Sequence, residues 1–137
     1  MAKNPESLLW NKVKKGLTKC FLTRIESSTI NGIPDVHACV NGSSFWLELK
    51  SNEDKNFGLS KYQIIWQIDY INAGGLVYNL VFAPSQRLLK LMRILPSMFA
   101  FCSGKEDKVE RFEVLDTVKY NSENLHKIIK SIPIRNS

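Results

Sequence analysis

The chain has 137 residues, 44% of them hydrophobic and 23% charged, which suits one globular core and is too short for two ordinary domains. Lysines and arginines outnumber acids 19 to 13, a net charge of +6 that fits a polyanionic partner without identifying one. No stretch approaches the roughly 18 apolar residues of a membrane span, polar Met1 to Glu6 does not read as a secretory leader, and Cys20, Cys39 and Cys102 form no Cys-x-x-Cys pair, which argues against a zinc site or a disulfide framework.

Taken in chain order, Asn4 and Pro5 have the chemistry of a helix cap and first turn. Leu8, Leu9, Val13 and Leu17 follow at helical spacing, with lysines on the other side. Cys20 to Glu26 reads as a strand and Ser27 to Gly32 as a polar loop. Pro34 to Val40 and Ser43 to Lys50 are strand-like runs joined by Asn41-Gly42, the pair that a two-residue type I′ turn favours because both positions need positive φ. Ser51 to Gly58 is a charged loop. Ser60 caps a helix from Lys61 to about Ala73, with Ile64, Ile65, Ile68 and Ile71 as its core stripe and Gly74-Gly75 as its stop. Leu76 to Phe82 reads as a buried strand, and Pro84-Ser85 opens a short helix to about Leu91. Met98 to Cys102 and Val109 to Leu115 are candidate strands, and Asn121-Ser122 caps a last helix to about Lys130. The order of helix, three strands, helix, strand and C-terminal additions defines an α/β fold with a mixed sheet, in one domain spanning 1–137.

The hairpin has a chemical consequence. If Asn41 and Gly42 are the two turn residues, His37 faces Trp46 and Asp35 faces Glu48, while Asp35, His37, Glu48 and Lys50 share one face. Val36, Ala38, Val40, Leu47 and Leu49 take the other, apolar face. A four-residue turn would set Asp35 opposite Lys50 instead, and a three-residue turn would separate the carboxylates unless a bulge restored them. Two opposed carboxylates repel, and a divalent cation would offset that. A plainly solvated sheet face with Lys50 as counter-ion is the alternative.

Gly32-Ile33-Pro34-Asp35 followed by Glu48-Leu49-Lys50 resembles the motif of the PD-(D/E)XK nuclease superfamily. With Leu59-Ser60-Lys61-Tyr62-Gln63, Ala73-Gly74 and the strand after it, the string over residues 5–83 is similar to a compact, stand-alone VRR-NUC domain of the phage type. The resemblance implies a restriction-endonuclease-like αβββαβ core with a mixed central sheet flanked by helices. It implies Asp35, Glu48 and the Leu49 carbonyl as ligands of Mg²⁺ (or Mn²⁺), and Lys50 as the residue assisting the nucleophile. It also implies an acid on the first helix, where Glu6 is the one available; Glu26 is its rival, and a first-turn charge against the helix dipole is the plainer role for Glu6. Gln63 is expected near Lys50 or in a capping box with Ser60, two roles one residue can combine.

Lys12, Lys15, Arg24, Lys55 and Lys61 are expected to meet the DNA backbone, together with Ser28 in the loop before Asp35 (Ser27 beside it). Gln67 and Tyr70 continue the Gln63 face towards DNA or solvent, and His37 is most simply structural. The expected activity is divalent-metal-dependent DNA endonucleolysis, site-specific in the homing manner or structure-specific, with Holliday-junction or branched-DNA resolution as the alternative. A non-catalytic nucleic-acid binder on the same fold is the rival from another class. Cutting both strands would call for a homodimer, for which residues after Pro96 could provide the interface. No organic cofactor and no membrane partner are expected, and the cytoplasm (a bacterial host's, for a phage protein) is the expected location.

Overall fold

Asn41 (φ 50) and Gly42 (φ 81) both take positive φ, so the hairpin is the two-residue one. It joins β2 (Val36–Val40) to β3 (Ser43–Lys50), with Val40 opposite Ser43, His37 opposite Trp46 and Val36 opposite Leu47. In this computed structural model the described residues are 9–11, 20–25, 30–51, 57–97 and 111–135. β1 (Cys20–Arg24) flanks β2 antiparallel. α1 (Lys61–Asn72) is the crossover that lets β4 (Val77–Ala83) lie parallel to β3. β5 (Leu88–Ile94) and β6 (Phe112–Lys119) continue antiparallel, completing a six-stranded sheet in the order β1 to β6. The chain is therefore α/β with a mixed sheet, as its element order predicts.

The two sheet faces differ sharply. Val36, Ala38, Val40, Phe45, Leu47, Leu49, Tyr78, Leu80, Leu89 and Leu91 are buried on one face under α2 (Ser122–Arg135). That helix contributes Leu125, Ile128, Ile129 and Ile132, the spacing of a single helical face, and Leu9 of the helical residues 9–11 joins them. Each such side chain removed from water contributes about 1.5–3 kcal/mol. Asn121 caps α2, its Oδ1 accepting from the Asn124 N–H at 2.7 Å, and the helix runs past Lys130 to Arg135.

Three expectations need correction. Pro84 to Arg87 form a turn rather than a helix start, and Leu88 onward is a strand. Leu88-Leu89-Lys90-Leu91-Met92-Arg93-Ile94 suits either periodicity, and pairing with β4 and β6 on both sides decides for the extended form. The last strand runs Phe112–Lys119, later than Val109 to Leu115. The isoleucines of α1 are not a core stripe: Ile65 is 44% exposed, and Gln67 is the one buried residue of that helix. Candidate strand Met98 to Cys102 lies outside the described residues, as does most of the first helix.

The reason for the α1 result lies beneath it. β4 reads Val-Tyr-Asn-Leu-Val-Phe-Ala, and Asn79 is 1% exposed in its middle, beside Glu48 in the parallel register. An unpaired buried amide is costly. Gln67 answers it: Gln67 Nε2 donates to Asn79 Oδ1 at 2.8 Å, and Asn79 Nδ2 donates to Gln67 Oε1 at 2.9 Å. So Gln67 points into the sheet, not to DNA or solvent. Tyr70 is half-buried and stacks on Trp66 at 4.8 Å.

Candidate active site at the open end of the hairpin

Continuing the β2–β3 register one step past Val36 and Leu47 sets Asp35 opposite Glu48, and a second step sets Pro34 opposite Leu49. In a two-residue hairpin Leu49 belongs to the set whose N–H and C=O point across at the partner strand. Pro34 has no N–H to offer the Leu49 carbonyl. The Leu49 N–H turns to Asp35 Oδ2 at 3.1 Å, and the Asp35 N–H donates to Glu48 Oε1 at 3.1 Å. Each carboxylate thus closes the strand end of its neighbour. The Asp35 carbonyl accepts from the Ile25 N–H at 2.7 Å, which ties the same residue to the end of β1.

Glu48 is only 1% exposed, so this is not a solvated sheet face. Its Oε2 lies 2.8 Å from Gln63 Nε2 and 3.3 Å from Lys50 Nζ. Burial first, then the Asp35 charge, pushes the Glu48 carboxyl from its ordinary 4.5 up to about 8, against the downward pull of Lys50 and of the Asp35 N–H bond. Gln63 forms the capping box expected of it and reaches Glu48, the carboxylate that Lys50 also contacts. Its Oε1 accepts from the Ser60 N–H at 2.8 Å while its own N–H donates to Ser60 Oγ at 3.2 Å, a complete capping box. Its Nε2 is left for Glu48. One side chain therefore starts α1 and orients the carboxylate.

The loop before Asp35 is seated on that same helix start. Gly32 sits at φ +84, and a Cβ there would run into the Tyr62 carbonyl. Both the positive φ and the close backbone approach demand glycine. Gly32→Ala is expected to cost roughly 2–4 kcal/mol of stability and to draw Asp35 away from Glu48; an unchanged denaturant midpoint would refute this packing. A cleft of about 420 Å³ opens beside the loop, with Asp35, Ser60, Tyr62 and Gln63 among its walls.

The remaining candidates divide. Arg24 lines this cleft and lies with its guanidinium carbon 5.7 Å from the Trp10 ring centroid. Lys61 is exposed at the start of α1. His37 shares the site face, but its ring packs edge-on against Trp46 at 4.8 Å, the structural role expected of it. Glu6, Lys12, Lys15, Glu26, Ser27, Ser28 and Lys55 lie outside the described residues, as does Cys102; Cys20 and Cys39 are half-buried. The residue that sequence reasoning missed is Asn79, whose signal was a lone amide inside a strand otherwise fit for full burial.

The donor set at the hairpin end is two carboxylates and a peptide carbonyl, all hard oxygens of the kind Mg²⁺ takes. Among the described residues no group of three His, Cys, Asp or Glu side chains could hold a metal ion. Two carboxylates nevertheless suffice for Mg²⁺, which keeps waters or phosphate oxygens in its other positions. A carboxyl pushed towards neutrality by burial, and further by a second acid, is the arrangement that a cation relieves. Comparison of the chain with protein-family models and with curated proteins finds no match to either.

Proposed function

We propose that the chain is a divalent-metal-dependent endodeoxyribonuclease with a restriction-endonuclease-like core of the PD-(D/E)XK kind, close in character to a stand-alone VRR-NUC domain. The observation that carries the reading is the pair of carboxylates set opposite one another across a hairpin, Asp35 and Glu48, tied through each other's strand ends with Lys50 one pleat away. The element order β1, β2, β3, α1, β4, with β4 parallel to β3, supports the core assignment.

Asp35, Glu48 and the Leu49 carbonyl would hold Mg²⁺, with Mn²⁺ as a substitute. Such an ion supplies a Lewis acid for the phosphate and a bound water of lowered pKa. The protein's own residues do the rest. Asp35 fixes the Leu49 peptide through its N–H. Gln63 holds the plane of the Glu48 carboxylate. Lys50, with its side chain 13% exposed, donates hydrogen bonds to the attacking water or to a phosphate oxygen. Arg24 and Lys61, with Lys12, Lys15, Lys55 and Ser28, contact the DNA backbone in a salt-sensitive way. Cleavage of both strands calls for a homodimer. No helix among the described residues is long and apolar enough to cross a membrane; the cytoplasm is the proposed place of action.

The test is cleavage of plasmid, branched and single-stranded DNA with Mg²⁺, with Mn²⁺ and with chelator. Activity is expected with either metal alone, and Lys50→Ala is expected to lose about 10²- to 10⁴-fold in rate. Undiminished cleavage by that variant, or cleavage that survives chelation, would sink the proposal.

A further inference from the structure

We propose that the cleft beside Asp35 receives one unstacked nucleotide of the DNA strand, with the Tyr62 ring as its stacking surface. This rests on the nuclease reading and goes beyond it, to how the substrate strand is held. The first observation is placement. Asp35 and Gln63 belong both to the candidate site and to the cleft wall, so whatever occupies the cleft lies next to the reacting phosphate. The second is surface chemistry. Tyr62 is 58% exposed and Ile30 53% exposed; both residues border a cleft whose lining is mainly polar, so an exposed aromatic ring and an exposed aliphatic chain stand next to it. A tyrosine on the first turn of a helix can withdraw towards its neighbours, yet this one stands in water beside a polar hollow.

Size narrows the occupant. About 420 Å³ falls near the low end of the roughly 300–1,000 Å³ of small-ligand pockets, room for one nucleotide and not for a duplex. A base within a duplex has both faces covered by its neighbours, so only an unpaired or flipped base can lay a face on Tyr62. The rest of the wall suits that guest. Arg24 brings positive charge for the backbone, Asn31 carries an amide with donors and an acceptor, and the Ser60 hydroxyl, which accepts from Gln63, still has its proton to donate. Stacking tolerates every base, so the cleft selects for an unpaired nucleotide and not for a sequence.

Equilibrium binding tests the proposal without requiring cleavage. The probes are a single-stranded oligodeoxynucleotide, a blunt duplex of equal length, the same duplex with two central unpaired positions, and a free deoxynucleoside monophosphate, each with Ca²⁺ in place of Mg²⁺. The single strand and the interrupted duplex are expected to bind more tightly than the blunt duplex. Tyr62→Ala is expected to weaken those two roughly 10- to 100-fold and the blunt duplex little, whereas Tyr62→Phe and Tyr62→Trp keep the wild-type order. Equal losses on all DNA forms, no loss on any, or no binding of DNA at all would overturn the proposal. So would tight binding of the monophosphate with none of the strands, which would make the cleft a free-nucleotide site. The nuclease reading fails separately, through undiminished cleavage by Lys50→Ala, and that result leaves the Tyr62 binding order intact. Because Tyr62 is exposed, unchanged unfolding midpoints in its variants establish that altered binding is not misfolding.

Discussion

Asp35→Asn is expected to abolish metal-dependent cleavage, by roughly a thousandfold or more, in a protein that remains folded. The asparagine keeps an oxygen where Asp35 Oδ2 accepts the Leu49 N–H, so the end of β3 retains its partner and stability changes by no more than about 1 kcal/mol. What the variant loses is the negative charge. Calorimetric titration with Mg²⁺ is expected to show binding weakened beyond measurement, and single-turnover kinetics on a cleavable substrate to show the rate loss. Wild-type Mg²⁺ affinity in the variant would remove Asp35 from the site. A second consequence is internal. The Asp35 charge is one of the causes that raise the Glu48 carboxyl, so its removal lets Glu48 titrate at a lower pH.

The second large effect is a pH dependence of stability that runs opposite to that of an ordinary salt-bridged acid. Glu48 is raised from 4.5 in the unfolded chain to about 8 in the fold. Between those values the folded protein holds a proton that the unfolded chain has released. Stability contributed by this group is therefore fully present below about 4.5, is lost as pH climbs towards 8, and is level above it. The loss is on the order of 5 kcal/mol, roughly 15 °C in Tm for a chain of this size. Other carboxylates impose their own slopes, so the reading is the difference between wild type and Glu48→Gln across pH 5 to 8.5. Metal-free wild type is expected to fall relative to the variant over that window. Saturating Mg²⁺ is expected to flatten the wild-type curve, because the Glu48 proton must leave for the ion to bind. Parallel curves for the two proteins would refute the raised carboxyl.

Much of this is legible in the sequence. Asn41-Gly42 specified the turn, the turn specified the register, and alternation along both strands assigned the faces, so the opposition of Asp35 and Glu48 follows from local chemistry alone. The capping box of Ser60 and Gln63 was legible for the same reason, being closed within one helical turn. What failed depended on partners distant in sequence. The α1 side chains that meet the sheet include Gln63 on Glu48, Gln67 on Asn79 and Trp66 on Trp46, polar and aromatic groups, while hydrophobic periodicity alone favours the isoleucines. Lys90 and Arg93 fit a helix as well as a strand, and the neighbours β4 and β6 made the choice. The shift of Glu48 likewise needs its cover, which α1 supplies from outside the hairpin.

The two-residue turn at Asn41-Gly42 has an evolutionary side. One residue added or deleted between Asp35 and Glu48, with no bulge to absorb it, would reverse the facing of one strand relative to the other. The carboxylate would leave its partner, and in the same step Val36, Ala38 and Val40 would be driven out of the interior. A change of length in this hairpin is therefore expected to show as a folding defect as well as a loss of activity. The spacing of the two acids is protected by the core, whatever reaction they serve.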